Sequence, residues 1–522
     1  MTIDPRTPVV VAVGQHTQHQ LPAELPEGRA PSAVDLMAEA ARAALADSGV
    51  EPGGLAAALD GLVAVRTFPD STVRPLPEKR ATNPPRSVAR RIGADPRWAA
   101  YTTAGGDVPQ RVLGELAGRI AAGELDSALL VGGEILATAK HAARLGVELD
   151  HSEDVPGQLE DRGFGTLWLD KSDIQQRLYR PIDIYPLFET AIRARRGVSV
   201  ERHLRSMGEL FEPFCEVAVT NRYTYRSRLL SAERIADPSG RNGFIGHPYT
   251  RAMNARDTVD MAAAVIVTSV EKARALAVAE DRWVYLHGCG ALRDALYLRD
   301  RRDFHSSPAI ERLGERVLGA SGVGIDDVEH IDLYSCFPSA VEIACEALGL
   351  REDDQRGLTL TGGLPFFGGP GNDYSLHAIA EAVGRCRLSP GSYALVSANG
   401  GSVTKHAIGV YSTRPRQGAW KLLDLAEDQR EIDTIAGPPT VDAPESGRAE
   451  LETCTVVHSE GQPVSGFVIA RKAEGADRGA RFIGRVPADG GLEELMGDDA
   501  VGLECRVEVD GEGMNVVRIG RG

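Results

Sequence analysis

Three short stretches place side chains able to move protons next to backbone that turns sharply. Tyr334-Ser335-Cys336-Phe337 closes the apolar run EHIDLY, and Pro338 then opens a helical pattern. A phenol and a thiol at such a boundary can donate or accept protons, and a thiolate can attack a carbonyl. The second stretch, GGPGNDYSLHAIAEAV from Gly368, is a glycine-rich loop entering a helix. His377 sits one turn into that helix, after Asn372-Asp373, and is expected to face the same mouth. The third, YALVSANGG (393–401), is a buried strand ending at Asn399, Gly400 and Gly401. Lys405 and His406 follow, where a cation can meet a phosphate or carboxylate.

Each stretch puts polar groups at a strand end or helix start, where open α/β sheets keep their chemistry. Elements able to hold such loops run through the chain. VVVAV (9–13) reads as a buried strand, and Ser32 precedes a helix with Leu36, Met37, Ala40, Ala41, Ala44 and Leu45 on one face. That helix ends at Ser48-Gly49, and a strand follows over Leu59–Val65. A second unit starts at Gly105, carries Val112, Leu113, Leu116, Ala117 and Ile120 on one helical face, and stops near Gly123. Its strand, Ser127–Val131, ends in Gly132-Gly133-Glu134.

The pattern then recurs. AIERLGERVLGASGVGIDDVEHIDLY (309–334) matches AEAARAALADSGVEPGGLAAALDGLV (38–63) in helix, Ser-Gly-Val turn, acidic spacer and strand. Residues 368–401 match 105–133 in the same way. Two pairs in one order read as an internal duplication, two α/β halves packed together. We read the first half as residues 1–270, interrupted by a loop domain at about 135–245, and the second as 271–415. The loop domain is rich in Arg, Asp, Tyr and Phe, with helical stretches at Phe188–Arg196 and Val198–Phe214. A linker, 416–448, leads to short β runs over 449–522 with Asp510-Gly511 as a hairpin signal, a small barrel-like β domain.

Composition narrows the partners. A 43 % hydrophobic and 25 % charged chain of 522 residues reads as globular with a large core. A net charge of −16 argues against nucleic acid as the main partner, though local basic patches can still hold an anionic cofactor. No run approaches the roughly 20 apolar residues of a membrane span, and MTIDPRTPVVVAVGQ lacks the form of a secretory leader. Seven scattered cysteines without CxxC suggest free thiols in a reducing cytoplasm, with neither a zinc site nor a disulfide frame, and no bound cofactor is expected.

The duplicated halves, YPLFETAIRARRG (185–197), GGE (132–134), YSCF (334–337) and GGP before a helix (368–370) together resemble the thiolase superfamily. The branch is the sterol-carrier-protein-2-type thiolase-like proteins, specifically those with an additional C-terminal domain. The resemblance implies a five-layered αβαβα fold and acyl-CoA thioesters as substrate or ligand. It also implies Claisen-type acyl transfer in lipid metabolism and, for the proteins with the extra domain, a monomer rather than a thiolase-type dimer.

Carried over residue by residue, the resemblance changes the chemistry. The nucleophilic Cys of thiolases falls on Gly106 or within a residue of it, and the GHP histidine on Gly369 of Gly368-Gly369-Pro370. A literal Gly246-His247-Pro248 lies in the wrong unit. The His of the HDCF motif is Tyr334, its Cys is retained as Cys336, and the CxG cysteine falls near Ala398. Glycine supplies neither thiolate nor base, so an acyl-enzyme at the usual place is not expected. Gly106 and Gly400 keep backbone N–H groups able to form an oxyanion pocket. Three activities follow from the resemblance: an acyltransferase with a changed residue set, a retro-aldolase acting on a β-hydroxyacyl-CoA through Tyr334, and an acyl-CoA binder without turnover.

Overall fold

The computed structural model describes residues 3–21, 30–73, 79–226, 228–416 and 418–520; the outermost residues of the first and last units, 1–2 and 521–522, lie outside the described residues. Local chemistry sets the first helix, Ala33–Asp47. Ser32 caps it through a reciprocal box with Asp35, and Gly49 follows it at φ 75°, a left-handed turn that favours glycine.

The two halves share one pairing scheme. In the first, Pro8–Thr17 runs antiparallel to Asp260–Ser269, which runs antiparallel to Ser127–Ile135, which is parallel to Gly61–Ala64. In the second, Val284–Arg293, Lys405–Ser412, Tyr393–Gly400 and His330–Asp332 repeat those relations in the same order. Val9 opposite Tyr285 and Val10 opposite Val284 join the halves into a ten-stranded sheet. Helices Val108–Ala121 and Tyr374–Leu388 pack against strands of both halves and form the central layer. Ala33–Asp47 covers the outside of the first half, and Pro308–Ser321 with Pro338–Leu348 the outside of the second. These are the five layers of a thiolase-like αβαβα fold.

The Gly132-Gly133-Glu134 stretch does not follow a strand, as its sequence suggested; it lies inside one, with Gly133 paired to Ala262. Gly132 is small for a reason, since any Cβ there would overlap the Asp373 carboxyl from the central layer. The helices of the insertion are longer than their sequence signals, Pro181–Arg196 and Val200–Thr220. Pro186 lies inside Pro181–Arg196, past the first turn, and has no N–H to donate there.

The C-terminal strands Gly447–Ser459, Gln462–Lys472, Arg481–Val486, Asn515–Ile519 and Glu504–Val509 close into a five-stranded barrel, with its own apolar core around Val456, Val468, Phe482 and Val517. Strand Phe244–His247 of the insertion adds to the outside of Gly447–Ser459, pairing His247 with Val456. His247 is thus spent at the seam between insertion and barrel, where burial pushes its imidazole down to about 3.

Candidate functional site

A cavity of about 950 Å³ opens where the insertion lies over the ends of the duplicated strands. Its floor is Gly105 and Gly106 before helix Val108–Ala121, Tyr334 and Cys336 before helix Pro338–Leu348, and Asn399 to Gly401 at the end of strand Tyr393–Gly400. Its wall comes from the insertion through Trp168, Ile182 and Tyr185. Lys140, Arg228, Arg241, Arg251 and Arg256 stand around it.

Gly106 and Gly369 leave little room for a side chain. A side chain on Gly106 would overlap the Tyr334 hydroxyl oxygen and come within 2.5 Å of the Asn399 carbonyl. At Gly369, the position of the thiolase histidine, a Cβ would already stand 3.0 Å from Leu364. The first site is filled by a phenol and the second crowded by an aliphatic side chain.

Tyr334 is held by its backbone N–H, which donates to Ser397 Oγ at 3.0 Å, and by an edge-to-face contact with Tyr374. Burial, with Cys336 and Asp107 close by, holds its phenol well above the usual range, so it stays protonated. Cys336 is pushed up to about 12 by burial. A thiol at that value is neutral at pH 7 and a poor nucleophile.

Tyr185 organises the floor and was not singled out in the sequence. Its hydroxyl donates to the Gly401 carbonyl at 3.1 Å, accepts from Asn399 Nδ2 at 3.0 Å, and neighbours the Cys336 thiol. Its ring stacks on Phe337 at 4.4 Å. Nothing in the spacing of YPLFETAIRARRG marks Tyr185, because only the tertiary fold brings it to residue 399. Asn372 escaped for the same reason. It accepts from the Gly105 amide at 3.0 Å and donates to the Arg66 carbonyl and Ser71 Oγ, tying the glycine loops of the two halves together.

Gly400 lies on the floor, but the oxyanion pocket expected of Gly106 and Gly400 has an acidic neighbour. Asp107 is buried at the start of helix Val108–Ala121, and its Oδ1 lies where a Gly400 side chain would go. A carboxylate beside that glycine pair opposes an oxyanion. A side chain at either glycine would collide with a neighbour.

Three further expectations are corrected. His377 does not face the mouth: it is fully buried in the central layer, Nδ1 2.7 Å from Gln15 Oε1 and Nε2 3.7 Å from Asp373, with its imidazole pushed down to about 3 by burial. His406 is turned away onto Asp294 at 3.2 Å, and Asp294 in turn accepts from Ser307 and the Ala309 amide at the start of helix Pro308–Ser321. Lys405 is beside the cavity rather than in its wall; its ammonium donates to the Thr166 carbonyl at 2.9 Å and lies over the ring of Trp168. His305 lies 3.0 Å from Arg195 and 3.4 Å from Asp303.

Among the described residues, Arg228, Arg241, Arg251 and Arg256 make no ion pair with a carboxylate. Arg256 is the most confined; burial and Arg226 lower its pKa, which marks a guanidinium short of an anion. The arginine-rich insertion and the segment that follows it therefore contribute cations to this cavity in an acidic chain. Behind the wall, Glu134 accepts from the Phe68 amide at 2.6 Å and is pushed up to about 8 by burial. No helix among the described residues is long and apolar enough to cross a membrane.

Comparison with known proteins agrees with this fold. A family profile described as the thiolase-like protein type 1 additional C-terminal domain matches residues 428–512. The crystal structure of a monomeric SCP2-thiolase-like protein type 1 from Mycobacterium smegmatis shares 37% identity over 99% of this chain and 100% of that one, at a TM-score of 0.83. An acetyl-CoA acetyltransferase from Syntrophomonas wolfei (17% identity, 79% of this chain and 100% of that one, TM-score 0.54) shares the fold. So does an Ltp2-ChsH2(DUF35) aldolase, at 19% identity over 78% of this chain and 99% of that one, TM-score 0.55. No curated protein sequence matches the chain.

Proposed function

The chain belongs to the SCP2-thiolase-like proteins of type 1, and from that premise we propose that it handles acyl-CoA thioesters without ever carrying the acyl group itself. The observation that supports this most is the Tyr334 hydroxyl filling the space above Gly106, on the floor of a cavity ringed by unpaired arginines. The arginines suit the phosphates of coenzyme A, because a guanidinium fork matches phosphate oxygens. The acyl end then rests on Tyr334, Cys336 and Tyr185. All three are neutral hydrogen-bonding groups at pH 7, since burial raises each pKa.

A second reading, carbon–carbon cleavage of a β-hydroxyacyl-CoA, is favoured by the same phenol, which can donate to a substrate oxygen. It needs a base to take the hydroxyl proton. Among the described residues, no histidine and one carboxylate, Asp257, line the cavity, and Tyr334, Cys336 and Tyr185 on the floor are held protonated, so binding with hydrogen-bond donation is the reading the geometry supports best. Seven free, buried cysteines support a reducing, cytoplasmic setting. The relative's title supports a monomer.

Incubation with acetyl-CoA, acetoacetyl-CoA and a β-hydroxyacyl-CoA separates these readings. Thermal stabilisation without product is the expected result. Release of a ketone or aldehyde from the hydroxyacyl ester would establish the lyase instead. Acyl transfer to CoA through a protein-bound acyl group would refute both.

A further inference from the structure

Outside the cavity, three helices bring metal-ligand side chains to one point. Glu189 lies on Pro181–Arg196, His203 on Val200–Thr220 and Glu342 on Pro338–Leu348, and a ligand atom from each lies within 4.8 Å of the other two. Among the described residues this is the one group of three or more that meets that distance. All three side chains are buried, at 0 %, 0 % and 2 % exposure.

Charge at this point is unbalanced. Glu189, Glu342 and the nearby Glu352 are three carboxylates, and Arg196 is shared between the last two. Arg193, the other guanidinium in reach, donates to the carbonyls of Val198, Gly497 and Asp498 instead of to an acid. Glu342 Oε2 is buried with no hydrogen-bond partner, while its carboxyl group faces that of Glu189. Two carboxyls facing each other in a dry interior need either a shared proton or a cation between them.

We propose that Glu189, His203 and Glu342 bind a zinc-class divalent cation. One imidazole nitrogen with carboxylate oxygens is a borderline donor set that suits zinc and disfavours the all-oxygen ions calcium and magnesium. His203 Nε2 and Glu189 Oε1 stand 2.5 Å apart and open towards the roughly 3.3 Å that two tetrahedral zinc ligands span. On Glu342 the oxygen without a hydrogen-bond partner is Oε2, while Oε1 accepts from Arg196. Tyr249, which donates to Glu189 Oε2 at 2.7 Å, orients that ligand from outside. With every ligand buried, the ion is structural, clamping both insertion helices to the helix that starts behind Cys336.

The test is metal analysis of the full chain after dialysis against zinc and removal of the excess. The expected result is close to one zinc ion per chain, a melting temperature that falls when a chelator strips it, and no tightly held zinc in a folded Glu342→Gln variant. Absence of bound zinc in the wild-type chain, with a melting temperature that zinc and chelator leave unchanged, overturns the proposal; the carboxyls then share a proton. Equal zinc in wild type and Glu342→Gln overturns it too, by placing the ion elsewhere. If Glu342→Gln does not fold, His203→Gln serves in its place, and the wild-type measurement decides independently of both.

Discussion

The hydroxyl oxygen of Tyr334 occupies the space into which a side chain on Gly106 would project. The two residues come from opposite halves of the duplication, so a position without a side chain in one half is matched by a large side chain from the other. A cysteine placed at position 106 alone therefore meets that phenol. Gly106→Cys is expected to destabilise the fold by about 1–3 kcal/mol through overpacking and to accept no acyl group from acetyl-CoA. Adding Tyr334→Ala should recover part of that loss, a coupling that denaturant unfolding of both single variants and the double variant would measure.

Tyr185 satisfies Asn399 and the Gly401 carbonyl at once. Tyr185→Phe leaves both buried groups short of a partner, at a cost of about 1–3 kcal/mol. It should weaken acyl-CoA binding less than stability, since the phosphate-facing arginines are untouched. Calorimetric titration beside thermal unfolding would distinguish the two effects.

The layers, the duplication and the barrel were legible in the sequence because they rest on periodic signals: Leu36 to Leu45 on one helical face, Gly49 and Gly322 ending matching helices, Asp510-Gly511 between two strands. The floor was legible where it lies on strand ends, at Tyr334, Cys336 and Gly400. It was not legible where it depends on distant pairs. Tyr185 meets Asn399 across the insertion, Asp107 meets Gly400 across the halves, and neither contact leaves a mark in spacing. His377 and His406 misled because a polar residue near a mouth looks functional until its core partners, Gln15 and Asp294, come into view.

Glu134 makes stability depend on pH. Its folded value, about 8, lies above the ordinary 4.5, so the unfolded chain loses this proton first as pH rises. Its contribution is fully present below about 4.5 and is lost as pH climbs through 8. Glu134→Gln keeps an acceptor for the Phe68 amide and removes the titration. Relative to wild type, the variant should gain stability between pH 5 and 8, a trend that melting curves across that window would reveal.

Arg256 tests the rim. Removing a desolvated guanidinium that meets a phosphate costs a charge-assisted hydrogen bond, so Arg256→Ala is expected to weaken CoA-ester binding about tenfold or more. The loss should shrink as salt is raised. Unchanged affinity at low salt would remove Arg256 from the binding surface.

The most direct measurement is a crystal structure of the protein soaked with a long-lived acyl-CoA. The account predicts an intact thioester with its carbonyl oxygen within about 3 Å of the Tyr334 hydroxyl, phosphates among Arg228, Arg241, Arg251 and Arg256, and no bond to the protein. An acyl group joined to any cysteine, or a ligand that leaves this cavity unfilled, would contradict it.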